Sequence, residues 1–296
     1  MRISIIGAGR VGQTIGRLAR QSGHDIKAVV TRSRRSALRA VKFIGAGDPY
    51  AIECARLIET DLILIATPDD RVGEAAGLIV ENAETLRGAV ALHTSGALSS
   101  DALGSLRAYA IATASCHPLQ TFGSPARAVG LLKDSYFCIE GEPRAERIAR
   151  RLVRSIGARS FTVTTEMKSL YHAAAVLASG GVVSLLGISI DMLMKCGLSD
   201  TQSRKILLPL VEGTVENVRT SGPARALTGP VRRGDAGTVS RNLKAIAKHD
   251  RRWVDLYALL ALQSLVLAER AGADPHLLEA VRRLLESASK KRGRAC

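Results

Sequence analysis

Short apolar runs alternate with helical stretches through the first half of the chain. Arg2–Ile6, Ile26–Val30, Asp61–Ile65 and Gly88–Leu92 are short apolar runs that suit strands; the first is rich in β-branched residues and Asp61–Ile65 reads as fully buried. Helical periodicity follows the first run through Ile15, Leu18 and Ala19, and resumes from about Ser36 and again from about Val72. Tyr109–Ala112 leads into Ser115–Gln120, and Ser135–Ile139 and Ser160–Val163 complete the set of strands around a basic helix at 143–156. Beyond Thr164 the strand pattern stops. Helices are predicted near 165–195, 200–220, 235–248, 250–271 and 275–290, with Pro223, Gly229-Pro230 and Gly234 between them. The pattern predicts an α/β fold: an N-terminal Rossmann-type parallel sheet (1–163) followed by an all-α C-terminal domain (164–296).

One helix stands apart. Ala173–Ile190 is 18 residues without a charge, the lower limit for a membrane span. It is rich in Ala, Gly and Ser, is closely flanked by His172 and Asp191, and has no aromatic belt or second span beside it. A helix apolar on every face also suits the centre of a helical domain or a dimer, so the expectation is a buried helix and a homodimer through the helical domain.

The first strand runs directly into Gly7-Ala-Gly9-Arg10-Val11-Gly12. In a G-x-G-x-x-G turn Gly7 makes the tight bend, Gly9 admits a pyrophosphate to the backbone, and Gly12 lets helix and strand pack closely. The helix N-terminus then faces the phosphates with free N–H groups. Gly45-Ala-Gly47 repeats the dipeptide but has Tyr50 at the third glycine position, and reads as a turn. The second strand ends in Thr31-Arg32-Ser33 with no acidic residue to bind a ribose 2′-hydroxyl. Hydroxyls and a guanidinium there suit a 2′-phosphate, so the expected cofactor is NADP. Thr67 and Pro68, after the 61–65 strand, fall on the same edge and are expected to border the nicotinamide ribose.

The formal charge of +15 would suit nucleic acid, an acidic membrane or small anions. The basic residues are spread along the chain and only one Trp is present, so the expected partner is an anionic small molecule, with no nucleic acid and no membrane. Lys290–Arg294 is a terminal basic cluster. Five cysteines without C-x-x-C spacing imply reduced thiols, no metal site and a cytoplasmic chain, with no leader before the strand at residue 2.

Reducing a carbonyl or imine requires an acid besides the hydride donor. Lys168 and His172, four apart, share a helix face that Ala175, Val176 and Ser179 continue. Two cationic groups in an apolar setting would depress each other's pKa. A snorkelling Lys beside a satisfied core His is the structural alternative. Ser95 and His117 fall on the active edge as substrate contacts, or as a turn residue and a backbone-bonded His. Asn217, read as closing a helix at Val211–Asn217, could orient a carbonyl. Thr228 and Arg233 lie in the 226–235 loop, where an Arg could clamp a carboxylate and Asp235 reads as a helix N-cap.

These residues resemble the β-hydroxyacid dehydrogenase and ketopantoate reductase superfamily, in which a helix after the Rossmann domain carries a catalytic Lys-x-x-x-Asn pair. Lys168 falls on the lysine, and His172 stands at the asparagine position, which leaves the acid open between them. Cys116-His117-Pro118-Leu119-Gln120, Tyr171–Ala175 and Leu227–Pro230 with Arg233-Gly234-Asp235 more closely resemble Rossmann-like NADP oxidoreductases with a C-terminal helical domain. The resemblance implies an NADPH-dependent reductase of a small carboxylate-bearing carbonyl compound such as ketopantoate. Pyrroline-carboxylate reductases share the architecture, which keeps an imine open. A non-catalytic NADP-binding sensor or partner-binding protein is the reading from another class.

Overall fold

The computed structural model describes residues 1–290; Cys296 and the basic residues 291–294 lie outside the described residues. Contacts divide the chain into two units, Met1–Gly181 and Val182–Cys296.

The first unit is built on an eight-stranded sheet: β1 (Arg2–Ile6), β2 (Asp25–Thr31), β3 (Asp48–Ala51), β4 (Leu62–Ile65), β5 (Val90–His93), β6 (Ala112–Leu119), β7 (Tyr136–Gly141) and β8 (Arg159–Thr162). Their order is β3-β2-β1-β4-β5-β6-β7-β8. Every pairing is parallel except β6 with β7, which is antiparallel. The expected Rossmann-type parallel sheet is thus present, with one reversed pair within it. That pairing also lengthens the strand predicted to stop at Ala112, because Ser115, Cys116 and His117 find ladder partners in Glu140, Ile139 and Cys138. β3, absent from the sequence reading, follows Gly45, which caps the preceding helix at φ +87°.

Helices α1 (Arg10–Gln21), α2 (Arg34–Ile44) and α5 (Pro143–Ser155) cover one face, with Ile15, Ile44, Leu152 and Val153 in the core. The other face is covered by α3 (Val72–Glu81) and a 3₁₀ segment, Ser100–Tyr109. A short helix α4 (Pro125–Leu132), also missed in the sequence, starts at the Ser124 cap. All four residues of β4 are buried, which explains the unbroken apolar run: neither face meets water.

Then α6 (Lys168–Val176) begins, and a π-helical turn, Leu177–Gly181, joins it to α7 (Val182–Lys195). The division at 181/182, rather than at 163/164, follows from α6: its Lys168 is buried against the strands, so the helix stays with the sheet.

In the second unit α7 turns at Gly197 into α8 (Asp200–Ala226), opened by a capping box between Ser199 and Gln202. α8 kinks at Gly222. A separate core lies among α9 (Ala236–Ala247), α10 (Arg251–Arg270) and α11 (Pro275–Lys290), centred on Val239, Val254, Leu265 and Val281.

The expected buried helix at 173–190 is not buried within this chain: Leu177 is 72% and Val183 69% exposed. Apolar positions on α8, among them Ile206 and Leu210, are exposed too. Uniform apolarity reports that a surface avoids water, and it carries no record of which molecule covers it. Lys168–Lys195 is long and apolar enough to cross a membrane by length and composition alone.

Candidate active site

The sheet order reverses between β1 and β4, and in such folds ligands bind beyond the strand carboxyl ends at that point. Gly7 sits there at φ +89°, its N–H donating to Val30 O at 2.9 Å. A Cβ on Gly7 would lie 2.6 Å from Thr67 N and 2.7 Å from the Ala66 carbonyl carbon, so only glycine fits. A Cβ on Gly12 would strike the Gly7 carbonyl oxygen, so α1 packs directly on the turn. Gly9 differs from both: a Cβ there meets nothing within 4 Å. It is the N-cap of α1 and no side chain caps that helix, which leaves its first N–H groups facing open space. Arg10 beside it is exposed and reaches the Phe122 carbonyl at 3.4 Å, while Val11 packs against the core. At the end of β4 the Thr67 hydroxyl oxygen is buried with no partner among the described residues, next to exposed Pro68. A vacant glycine face, an uncapped helix N-terminus and an orphaned hydroxyl on one edge fit a dinucleotide.

At the end of β2, Thr31 Oγ1 donates to Ser33 O at 2.8 Å, and Ser33 caps α2 by accepting the Ser36 N–H. These bonds shape the corner. Arg32 between them is exposed, and among the described residues it has no ion pair or hydrogen bond. Its guanidinium is therefore free for an anion.

Next along the edge, β5 and β6 meet α6. Lys168 is 1% exposed, its Nζ donates to Ser115 Oγ at 2.7 Å, and Ser115 Oγ donates to Ser95 O at 3.2 Å. Burial lowers the Lys168 pKa, opposed by the charges of Cys138, Glu140 and Cys116. The depression thus comes from desolvation and not, as the spacing suggested, from His172. The histidine that feels both neighbours is His117, pushed down to about 4 by burial first and then by Lys168 and His172.

His117 lies inside β6, not in a loop after it, and its Nδ1 is 2.7 Å from the Tyr171 hydroxyl. His172 Nδ1 is buried and has no partner among the described residues. His117, Tyr171 and His172 line one end of a cavity of about 700 Å³ whose other walls include Pro118, Leu119, Phe161, Ala175 and Val176. Ser95 is spent on the turn: its hydroxyl accepts from Ala97 N at 3.2 Å and Leu98 N at 3.0 Å. His93 is structural, with Nε2 donating to Ser99 O and Nδ1 accepting from Ser95 N.

The structure therefore brings Lys168, His172, Ser95 and His117 together in the first unit. Asn217, Thr228 and Arg233 belong to the second unit, where all three are exposed. Asn217 lies in mid-helix rather than closing one, because α8 continues to Ala226. Arg232 is committed to the Ala271 carbonyl at 3.0 Å, and Asp235 caps α9 through Thr238 N at 2.9 Å.

Two groups of this edge, one of them fully buried, escaped the sequence reading. Tyr171 was noticed only within a motif. Glu140 is 1% exposed and accepts from Ser100 N at 2.8 Å, Ser100 Oγ at 2.7 Å and Thr165 Oγ1 at 2.8 Å. A carboxylate ending the apolar run Tyr136–Ile139 was the available signal.

A sheet with this reversal and this glycine turn defines a Rossmann-type fold. Residues 1–119 match the Rossmann-like domain, and residues 135–264 match a domain of unknown function, DUF2520; the chain is built of these two domains in that order. None of the curated protein sequences matches the chain. Many solved structures share the fold, among them the three that follow. A candidate NADP oxidoreductase of Bacteroides fragilis is 23% identical over 89% of this chain and 97% of its own, with a TM-score of 0.72. The pyrroline carboxylate reductase of Plasmodium falciparum, with NADP bound, is 14% identical over 98% and 97%, at 0.59. An imine reductase of Myxococcus stipitatus in complex with NADP+ is 17% identical over 98% and 95%, at 0.57. At these identities the likeness is one of fold.

Proposed function

We propose that the protein is a cytoplasmic NADPH-dependent reductase of a small carbonyl or imine compound. The observation that carries this reading is a single edge holding both the vacant glycine cradle after β1 and, at β6, a buried lysine beside two imidazoles that line a cavity. NADPH, when bound, supplies the hydride. Arg32 takes the 2′-phosphate, and Thr67 bonds the cofactor at the end of β4. His172, whose ring lines the cavity, carries the proton to the substrate oxygen or nitrogen. Lys168 stands behind it as the buried positive charge at the head of the Ser115–Ser95 chain.

A 2-oxo acid of the ketopantoate kind is one substrate reading, and it needs a cation such as Arg233 for the carboxylate. The cavity wall favours a second, an imine, because it carries apolar side chains and neither Arg nor Lys. NADPH oxidation against a panel of 2-oxo acids and cyclic imines separates the two. On the substrate so found, Lys168→Ala and His172→Ala are each expected to lower kcat by a factor of roughly 10² to 10⁴ with little change in NADPH affinity. The double variant should lose less than the product, since groups acting as one unit are not additive. Near-normal turnover in both single variants, or no turnover by the parent on any member of the panel, would defeat the proposal.

The reading includes a homodimer. The exposed apolar residues of α7 and α8 form a surface that a second copy, with the same composition, would cover.

A further inference from the structure

β5 ends at His93, and the turn after it is tied on both sides of Gly96. Ser95 N–H donates to His93 Nδ1 at 3.2 Å, and the Ser95 hydroxyl accepts from Ala97 N at 3.2 Å and Leu98 N at 3.0 Å. The Ser95 carbonyl accepts from Ser115 Oγ of β6, which in turn accepts from Lys168 Nζ at 2.7 Å. One chain of bonds therefore fixes both the turn and the first residue of α6. A helical turn further on, His172 comes down on Gly96. A Cβ on Gly96 would lie 2.7 Å from His172 Cε1, closer still to its Nδ1, and 2.8 Å from His117 Nε2. The φ of Gly96 lies outside the left-handed region, so the glycine answers a need for space and not for conformation. His172 Nδ1 is buried there with no partner among the described residues, while the ring lines the cavity. Of the two ring nitrogens, Nε2 is thus the one left to reach a substrate.

We propose that Gly96 is a positioning residue: its bare Cα seats the Nδ1 edge of His172 and so turns Nε2 toward the cavity. The seating stands on the contacts alone, while its value for proton transfer rests on the reductase reading. A methyl group on Gly96 has no free space to enter. The turn cannot withdraw without breaking the Ser95 bonds, and α6 cannot lift without pulling Lys168 from Ser115. The imidazole is the part that yields, by rotation about its side-chain torsions. Misplacing a reacting group by about 1 Å can cost about 10²-fold in rate.

The test reads which nitrogen of His172 is alkylated when the full-length protein is treated with iodoacetamide, the two isomers being separated on the His172 peptide. The parent should give the Nε2 product alone. Gly96→Ala should lose most of that product or give the Nδ1 product in its place. Alkylation of the parent at Nδ1, or none at His172, overturns the proposal whether or not the variant folds. So does a Gly96→Ala chain that reacts as the parent does. On a substrate from the panel, kcat should fall about 10²-fold in Gly96→Ala with NADPH affinity unchanged. Most of that cost should vanish in a His172→Ala background, where the ring is gone. An unchanged kcat, or a cost that persists in full without the ring, also overturns the proposal. Alkylation needs no substrate, so the two readings separate. If alkylation follows the expected course but nothing on the panel is reduced, the reductase reading fails and Gly96 keeps its positioning role.

Discussion

Replacing Glu140 tests how the proton-handling edge is held together. The carboxylate lies at the end of β7 and accepts three hydrogen bonds, two from Ser100 and one from Thr165. Thr165 also accepts the Lys168 N–H at 3.2 Å, so Glu140 ties the entry of α6 to the sheet. Hydrogen bonds to a charged group contribute about 1.5–3 kcal/mol each, and a buried donor left unpaired costs about 1–3 kcal/mol. In Glu140→Ala the two hydroxyls can rotate toward other acceptors, but the Ser100 N–H cannot. The net loss should therefore be about 3–5 kcal/mol, in the range for breaking a buried charged network. Glu140→Gln keeps an oxygen for the Ser100 N–H, and its NH₂ can donate to hydroxyls that turn to accept, so its cost should be about 1–2 kcal/mol. Guanidinium denaturation measures both, and hydrogen exchange over residues 165–172 should quicken more in the alanine variant. Equal costs for Ala and Gln, or a loss below about 1 kcal/mol in Ala, would refute the account of Glu140 as the anchor of α6.

Three further outcomes are expected. NADPH should bind at least about tenfold more tightly than NADH, about 1.4 kcal/mol, and Arg32→Ala should narrow the gap; equal affinities by calorimetry would exclude the 2′-phosphate role. Sedimentation at micromolar concentration should show a dimer, and charged substitutions at Val183 and Leu210 should dissociate it without unfolding the α9–α11 core. His117 has a folded pKa below its ordinary value, so its neutral form supports the fold: that contribution is full above about 6.5 and is lost as pH falls through about 4. His117→Gln should flatten this part of the stability profile between those pH values, and a parallel profile in denaturation curves would contradict the shift.

The sequence by itself determined what short-range physics controls. The turn at Gly7-Ala-Gly9-Arg10-Val11-Gly12 was legible because three glycines with separate steric tasks leave few alternatives, and the strand before it is apolar throughout. Helix starts at Ser33, Ser199 and Asp235 follow from local capping by side chains. Lys168 and His172 could be paired in advance because helical spacing is local. Tertiary structure alone decided the rest. The reversed pairing of β6 and β7 moves His117 into a strand, and no periodicity distinguishes parallel from antiparallel neighbours. Tyr171 reaches His117 across 54 positions and Thr165 reaches Glu140 across 25, separations that leave no pattern in a single chain. The 173–190 helix shows the limit from the other side: its composition announces a surface that avoids water, but coverage by a partner belongs to an assembly and not to the periodicity of one chain.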